Sequence, residues 1–138
     1  MSYDLMVFEK TKAPVTRNEF IAWYEKQTEW SEDHDYQNIS VSSPSLKNWF
    51  MEMINNFPPM NGDYSPNLDP LDEKEAEELE LHLVDYSIGY DMIYASFSWS
   101  VAQEAYEHMR KLAVKYDVGF FDASEENGDI IFPNGTKI

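Results

Sequence analysis

Residues 29–36 hold the densest group of side chains able to do chemistry. The segment consists of Glu29, Trp30, Ser31, Glu32, Asp33, His34, Asp35 and Tyr36. Carboxylate oxygens and an imidazole nitrogen are ligands for divalent cations, and a buried carboxylic acid with a raised pKa can act as a general acid. Residues 32–35 are therefore a candidate site for a small metal-dependent enzyme or ligand-binding domain.

The same segment supports two simpler interpretations. It lacks the glycine that an EF-hand loop needs at its sixth position, and it lacks the His-Glu-x-x-His pattern of zinc enzymes. A solvated loop is one alternative. A partner-binding loop anchored by Trp30 and Tyr36 is the other, because aromatic side chains dominate the energetics of protein interfaces. We predict no bound metal and no cofactor.

A second acidic segment covers residues 69–80 and follows a loop rich in proline. From Asp63 to Asp91 the chain has ten acidic residues and one base, Lys74. Such a run is either a solvated face or a docking surface for a basic protein, because complementary charge accelerates association and excludes wrong partners. The predicted partner-contacting residues are Glu29, Glu32, Asp33, Asp35, Tyr64, Asp72, Glu73, Glu75, Glu77 and Glu78.

The whole chain is strongly acidic, with 26 Asp or Glu against 10 Lys or Arg and a net charge of −16. This field repels phosphate backbones and anionic lipids, so we predict no nucleic-acid or membrane binding and expect a basic protein as partner. There is no cysteine, no basic leader and no apolar run of membrane-spanning length, which predicts a cytoplasmic protein. High charge opposes self-association, so we expect a monomer, or a homodimer formed through a sheet edge.

No catalytic motif is present in the sequence. His82 and His108 are isolated, and the glycines form neither a dinucleotide-binding nor a phosphate-binding loop. We therefore predict that the protein is not an enzyme. The aromatic residues expected in the core are Trp23, Trp49, Trp99, Tyr106 and Phe120. Tyr64, in the proline-rich loop, is the aromatic residue expected outside the core.

The length of 138 residues predicts a single domain over residues 1–138. Residues 3–8 are apolar at both sets of alternate positions, which predicts a central strand covered on both faces. Apolar residues at helical spacing predict helices over residues 17–29, 44–57 and 102–116. Thr16, Ser43 and Ser100 are predicted to cap them.

Residues 81–86 and 92–99 predict an antiparallel hairpin, and residues 118–122 and 130–132 predict two further strands. The element order is the split βαβ order of a ferredoxin-like α+β fold, once the second helix and a proline-rich and acidic loop at about residues 58–80 are counted as an insertion. We expect an antiparallel sheet with its helices on one face and its first strand beside its third.

Several segments together carry a family resemblance. They are YDLMVFE at residues 3–9, Phe20 with Trp23 and Tyr24, PPMNG at 58–62, DYSIG at 85–89, ASFSWS at 95–100 and GFFD at 119–122. In this combination the chain resembles a family of small acidic bacterial proteins, which are similar to the immunity proteins of polymorphic toxin systems. The resemblance implies a single cytoplasmic domain that binds and blocks a cognate toxin, and it brings no catalytic residue.

The resemblance and the charge thus lead to one expectation with two alternatives. We expect an immunity-type inhibitor that occludes a basic toxin domain with its acidic surfaces. The first alternative is the metal-dependent enzyme or ligand-binding domain at residues 32–35. The second is an acidic adaptor for a basic host protein, which would use the same surfaces on a different partner.

Overall fold

The computed structural model describes residues 2–138, whose five strands form one antiparallel sheet in the order β2-β3-β1-β4-β5. The strands are β1 (Tyr3–Phe8), β2 (Asp85–Ile88), β3 (Met92–Phe97), β4 (Gly119–Phe121) and β5 (Ile130–Ile131). The first four strands have the ferredoxin-like order. The predicted α+β class and the position of the first strand beside the third are confirmed.

Four α-helices accompany the sheet among residues 2–138. They are α1 (Arg17–Gln27), α2 (Pro44–Met53), α3 (Glu73–Leu81) and α4 (Ala102–Lys115). In this part of the chain, no helix combines the length and the apolar character needed to cross a membrane. The predicted Ser100 cap of α4 is wrong, because a short 3-10 turn capped by Ser98 comes first and Val101 then precedes the helix.

β1 lies inside the sheet, between β3 and β4, and is buried on both faces. On one face, Leu5 and Val7 belong to a core shared with α2 and α4. On the other face, Met6 and Phe8 belong to a second core with Phe20 of α1. The prediction that the helices share one face is therefore wrong for α1. The physical reason is that a strand apolar on both sides needs a covering layer on each.

α2 belongs to the main core and is not an insertion. Trp49 and Met53 of α2 are fully buried, as is Met109 of α4, and the two helices pack together. The Ser43 hydroxyl accepts the first-turn N–H of Leu46 at 3.4 Å, which starts the helix where the sequence predicts. The two helices of the ferredoxin-like layer are thus α2 and α4, and α1 is the added element.

The acidic segment forms α3, and the first strand of the hairpin begins later in the chain than predicted. Residues 81–86 are predicted as a strand, but α3 extends to Leu81 and β2 begins at Asp85. The Asp72 carboxylate caps the helix by accepting the Glu75 backbone N–H at 2.8 Å. Because Glu, Ala and Leu are strong helix formers, this capped helix continues into the region of alternating polarity.

Both edges of the sheet are covered by short stretches of chain. At the β2 edge, the Val84 N–H donates to the Pro58 carbonyl at 3.0 Å, and the Ile88 N–H donates to the Tyr36 carbonyl at 2.9 Å. At the other edge, residues 136–138 hydrogen-bond alongside β5. Short stretches of chain therefore occupy part of each sheet edge.

Candidate functional site

The two acidic segments are anchored at opposite ends of β2. Residues 29–36, called loop 29–36 below, lie at its carboxyl end, where Ile88 bonds to Tyr36. α3 lies at its amino end, because only residues 82–84 separate the helix from the strand. β2 has 4 residues, about 13 Å of chain. The two acidic segments are therefore attached to the sheet at different points.

Glu32 is the structural centre of loop 29–36. Its side chain is only 19% exposed. Its Oε1 accepts the backbone N–H of Tyr90 at 3.0 Å and lies 2.6 Å from Nε2 of His34. Its own backbone N–H donates to the Tyr36 hydroxyl at 2.6 Å. This carboxylate therefore ties the loop to the turn between β2 and β3.

His34 completes the same hydrogen-bond network. Its Nδ1 accepts the backbone N–H of Tyr36 at 3.1 Å. A ring nitrogen that accepts carries no proton, so the proton lies on Nε2 and is directed at the Glu32 carboxylate. Both ring nitrogens are therefore used inside the loop, and neither is open to a metal ion.

The other carboxylates of the loop face solvent. Glu29, Asp33 and Asp35 are exposed, and Asp35 accepts the backbone N–H of Gln37 at 3.0 Å. Among residues 2–138, no three His, Asp or Glu side chains are grouped closely enough to hold a metal ion. The side chains of residues 32–35 are thus not arranged as a metal site.

An aromatic row crosses loop 29–36 and continues onto the sheet. Its rings are, in order, Tyr90, His34, Tyr36, Trp30, Tyr94 and Tyr24. Successive ring centroids lie 4.8, 4.4, 5.3, 5.9 and 6.5 Å apart. The Tyr94 hydroxyl donates to Oδ2 of Asp4 at 2.6 Å, and burial raises the pKa of Tyr94. The row is therefore fixed at its sheet end and exposed at its loop end.

The backbone of the loop is held in an unusual conformation. Trp30 and Tyr36 have φ values of 55° and 61°, in the left-handed region. This region costs an L-residue with a side chain roughly 1–2 kcal/mol. The ring contacts and the Glu32 hydrogen bonds offset this cost.

α3 has the opposite character, because none of its residues is buried. The exposed carboxylates of its cap and body are Asp72, Glu73, Glu75, Glu77, Glu78 and Glu80. Among residues 2–138, no ion pair joins any of these carboxylates to a Lys or Arg. α3 is therefore a charged surface that adds no buried side chain to the core.

His82 joins α3 to α4. Its Nδ1 lies 3.0 Å from the Glu78 carbonyl oxygen, and its Nε2 lies 3.0 Å from Oε2 of Glu104. Both ring nitrogens face acceptors, which only the doubly protonated ring can satisfy with donors. Burial lowers the pKa of His82, but the Glu78 carbonyl and the Glu104 carboxylate raise it by more, so it lies above its ordinary value.

Tyr64 lies where the proline-rich loop meets the residues that follow loop 29–36. The residue is 48% exposed, and its ring lies edge-on to the ring of Phe50 with centroids 6.1 Å apart. A groove of about 430 Å³ beside it is also lined by Asp35, Asp63 and Lys47. The fold thus brings together Tyr64 and Asp35, two predicted contact residues that are distant in sequence.

Tyr90 and a third acidic group are not predicted from the sequence. Tyr90 reaches loop 29–36 from the β2–β3 turn, and an aromatic residue directly after the turn residue Gly89 is the only local signal for it. A third acidic group lies at the turn after β4 and consists of Asp122, Glu125, Glu126 and Asp129. Burial is the main cause of the raised pKa of Asp122.

Exposed carboxylates beside exposed aromatic rings are suited to binding more than to covalent chemistry. Within residues 2–138, no serine or threonine hydroxyl hydrogen-bonds to a histidine, so no nucleophile is paired with a base in this way. Comparisons with protein-family models, with curated proteins and with solved structures find no match to the chain.

Proposed function

We propose that the protein is a non-catalytic binding protein that blocks a basic toxin domain, in the manner of an immunity protein. The observation that carries this is the set of exposed carboxylates in loop 29–36 and α3, none of which is paired with a Lys or Arg of residues 2–138. Like charges held close together repel, and a basic surface that neutralises them gains both affinity and association rate.

The proposed mechanism is occlusion. A domain that acts on nucleic acid or nucleotides has a positive cleft for its phosphates, and carboxylates presented by this chain would fill that cleft instead. No bond is made or broken in this mechanism, so the residues that matter are contact residues. The net charge of −16 and the resemblance to immunity proteins support it, and we propose a cytoplasmic location with it.

Affinity capture tests this function. The tagged protein is used as bait in its own cells at low and at moderately high salt, and bound proteins are identified by mass spectrometry. We expect one basic domain in equimolar amount at low salt and less of it at high salt, because exposed charge pairs are screened. The captured domain is then expressed alone and together with this chain.

Three results are distinguishable. A domain that is toxic alone and harmless with this chain supports the inhibitor. A basic domain that is harmless in both cases indicates an adaptor, the alternative with the same surfaces. Retention of nothing specific at either salt concentration contradicts both functions.

A further inference from the structure

The exposed end of the aromatic row is the surface where charge and apolar area coincide. Trp30 is 40% exposed and Tyr90 is 44% exposed, and the rings of His34 and Tyr36 connect them. These two exposed rings, joined through the part-buried rings of Tyr36 and His34, form one aromatic patch, unlike single apolar side chains scattered over a surface. Such a patch is typical of the centre of a protein interface.

The charge around this patch restricts what can bind there. Glu29, Asp33 and Asp35 are exposed in the same loop, and residues 29–36 contain no Lys or Arg. The face of an aromatic ring attracts cations through its quadrupole, and carboxylates attract them through their charge. A neutral or acidic partner would leave these carboxylates without compensation, so the complementary occupant is cationic.

We infer that loop 29–36 together with Tyr90 is the docking surface for an arginine-rich segment of the basic partner. This rests on the proposed function and names the chemistry of its contact. Arginine is favoured over lysine because a guanidinium is planar, stacks on aromatic rings, hydrogen-bonds carboxylates with two parallel donors and is more weakly hydrated.

α3 has a different role in binding the basic partner. It exposes carboxylates but no aromatic ring, and none of its residues is buried. Charge without a desolvated anchor accelerates encounter but adds little to the lifetime of the complex. α3 therefore attracts the partner, and the exposed end of the aromatic row holds it.

A fluorescently labelled peptide of alternating arginine and glycine is the probe, with the matching lysine peptide as its comparison. Affinity for the intact protein is measured by anisotropy at low salt. Trp30→Ala is paired with Trp99→Ala, because Trp99 is also an exposed tryptophan, at 51%, and also contacts a tyrosine ring, that of Tyr3 at 4.9 Å. Tyr90→Ser is a second test, which removes the exposed ring, changes no residue of loop 29–36 and keeps the backbone N–H that Glu32 accepts.

A second matched pair separates the two acidic segments. Asp33→Asn with Asp35→Asn, and Glu73→Gln with Glu77→Gln, remove equal charge from residues that are all exposed. We expect the affinity to fall about tenfold or more for Trp30→Ala and Tyr90→Ser, and to change less than about twofold for Trp99→Ala. We also expect a larger loss from the loop pair than from the helix pair, and weaker binding of the lysine peptide.

The outcomes separate this inference from the proposed function. Three results would overturn the docking surface. The first is an equal loss of peptide affinity in Trp30→Ala and Trp99→Ala, and the second is an unchanged affinity in Tyr90→Ser. The third is a loss of affinity in the Glu73→Gln, Glu77→Gln variant as large as that in the Asp33→Asn, Asp35→Asn variant. Equal affinity for the two peptides would overturn the preference for arginine. If the protein captures a basic domain but binds neither peptide, the docking surface is wrong and the proposed function stands. If it neither captures a basic domain nor binds a peptide, the proposed function is also wrong.

Discussion

Loop 29–36 and α3 are both acidic in sequence, but the fold treats them differently. In the loop, one carboxylate, Glu32, points inward and organises the backbone, while aromatic rings pack beside it. In α3 the carboxylates all point outward and no residue is buried. The difference teaches that charge density alone does not define a recognition surface. Shape and anchoring are supplied by the residues between the charges.

The largest expected effect is on the free energy of unfolding when Glu32 is removed. Glu32→Ala leaves the Tyr90 N–H and the His34 Nε2–H without their acceptor, and losing a hydrogen bond to a charged group costs about 1.5–3 kcal/mol. Urea unfolding measures the loss. Glu77→Ala, which removes the same charge from exposed α3, should stay within about 0.5 kcal/mol of the parent.

Equal changes in the free energy of unfolding for Glu32→Ala and Glu77→Ala would contradict the contrast between loop 29–36 and α3. A larger loss of unfolding free energy for Glu77→Ala would reverse the contrast. The near-ultraviolet circular dichroism of Glu32→Ala gives a second readout, because its signal depends on the packing of Trp30 and Tyr36 in the aromatic row.

Sequence reasoning predicts the fold better than it predicts the site. The bounds of β1 and the first residues of α1 and α2 follow from local patterns, which act within one element. Of the two predicted caps, Ser43 accepts a helix N–H, whereas the Thr16 side chain accepts none and that part of the prediction is wrong. The location of α1 on the second face does not follow, because it depends on which layer covers a strand that is apolar on both sides.

The candidate site is harder to predict from the sequence for the same reason, because it depends on contacts between distant residues. The carboxylates of loop 29–36 are visible in the sequence, but the contact of Tyr90 with His34 joins residues more than 50 positions apart. Trp99 shows the opposite error. Its apolar character predicts a core position, whereas the 3-10 turn after β3 leaves it 51% exposed beside Tyr3.

A smaller effect is expected when the cap of α3 is removed. Asp72→Ala deletes the acceptor of the Glu75 N–H, and the loss of such a cap costs about 1 kcal/mol. Because α3 has no buried residue, its opening should be local. Hydrogen exchange should therefore accelerate in residues 73–81 and stay unchanged at the Tyr90 N–H. Faster exchange at both places would show that helix and loop open together.

The contact between α3 and α4 should depend on pH through His82. Its folded pKa is raised, so its contribution to stability is complete below the unfolded value of about 6.5 and is lost as pH rises through the folded value. The groups that face it are Glu78 of α3, Glu104 of α4 and the ring of Phe57. The unfolding free energy of the parent minus that of His82→Gln should therefore fall with rising pH in this window.

His108, whose ring also contacts Phe57 with centroids 5.8 Å apart, supplies a control of opposite sign. Burial and the charge of Lys111 lower its pKa in the folded state. Its contribution to stability is therefore lost as pH falls from about 6.5 towards the folded value. For His82, the contradicting result is a difference in unfolding free energy between the parent and His82→Gln that grows with rising pH. It would show that the contact with Glu104 does not stabilise the protonated ring.

The most direct measurement is the binding kinetics of the arginine–glycine peptide. Stopped-flow traces are compared for the parent, for Trp30→Ala and for Glu73→Gln with Glu77→Gln. We predict that the helix variant associates more slowly and dissociates at the parent rate, while Trp30→Ala associates at the parent rate and dissociates about tenfold faster. Dissociation that is unchanged in Trp30→Ala, or accelerated in the helix variant, would contradict the assignment of holding to the aromatic row and attraction to α3.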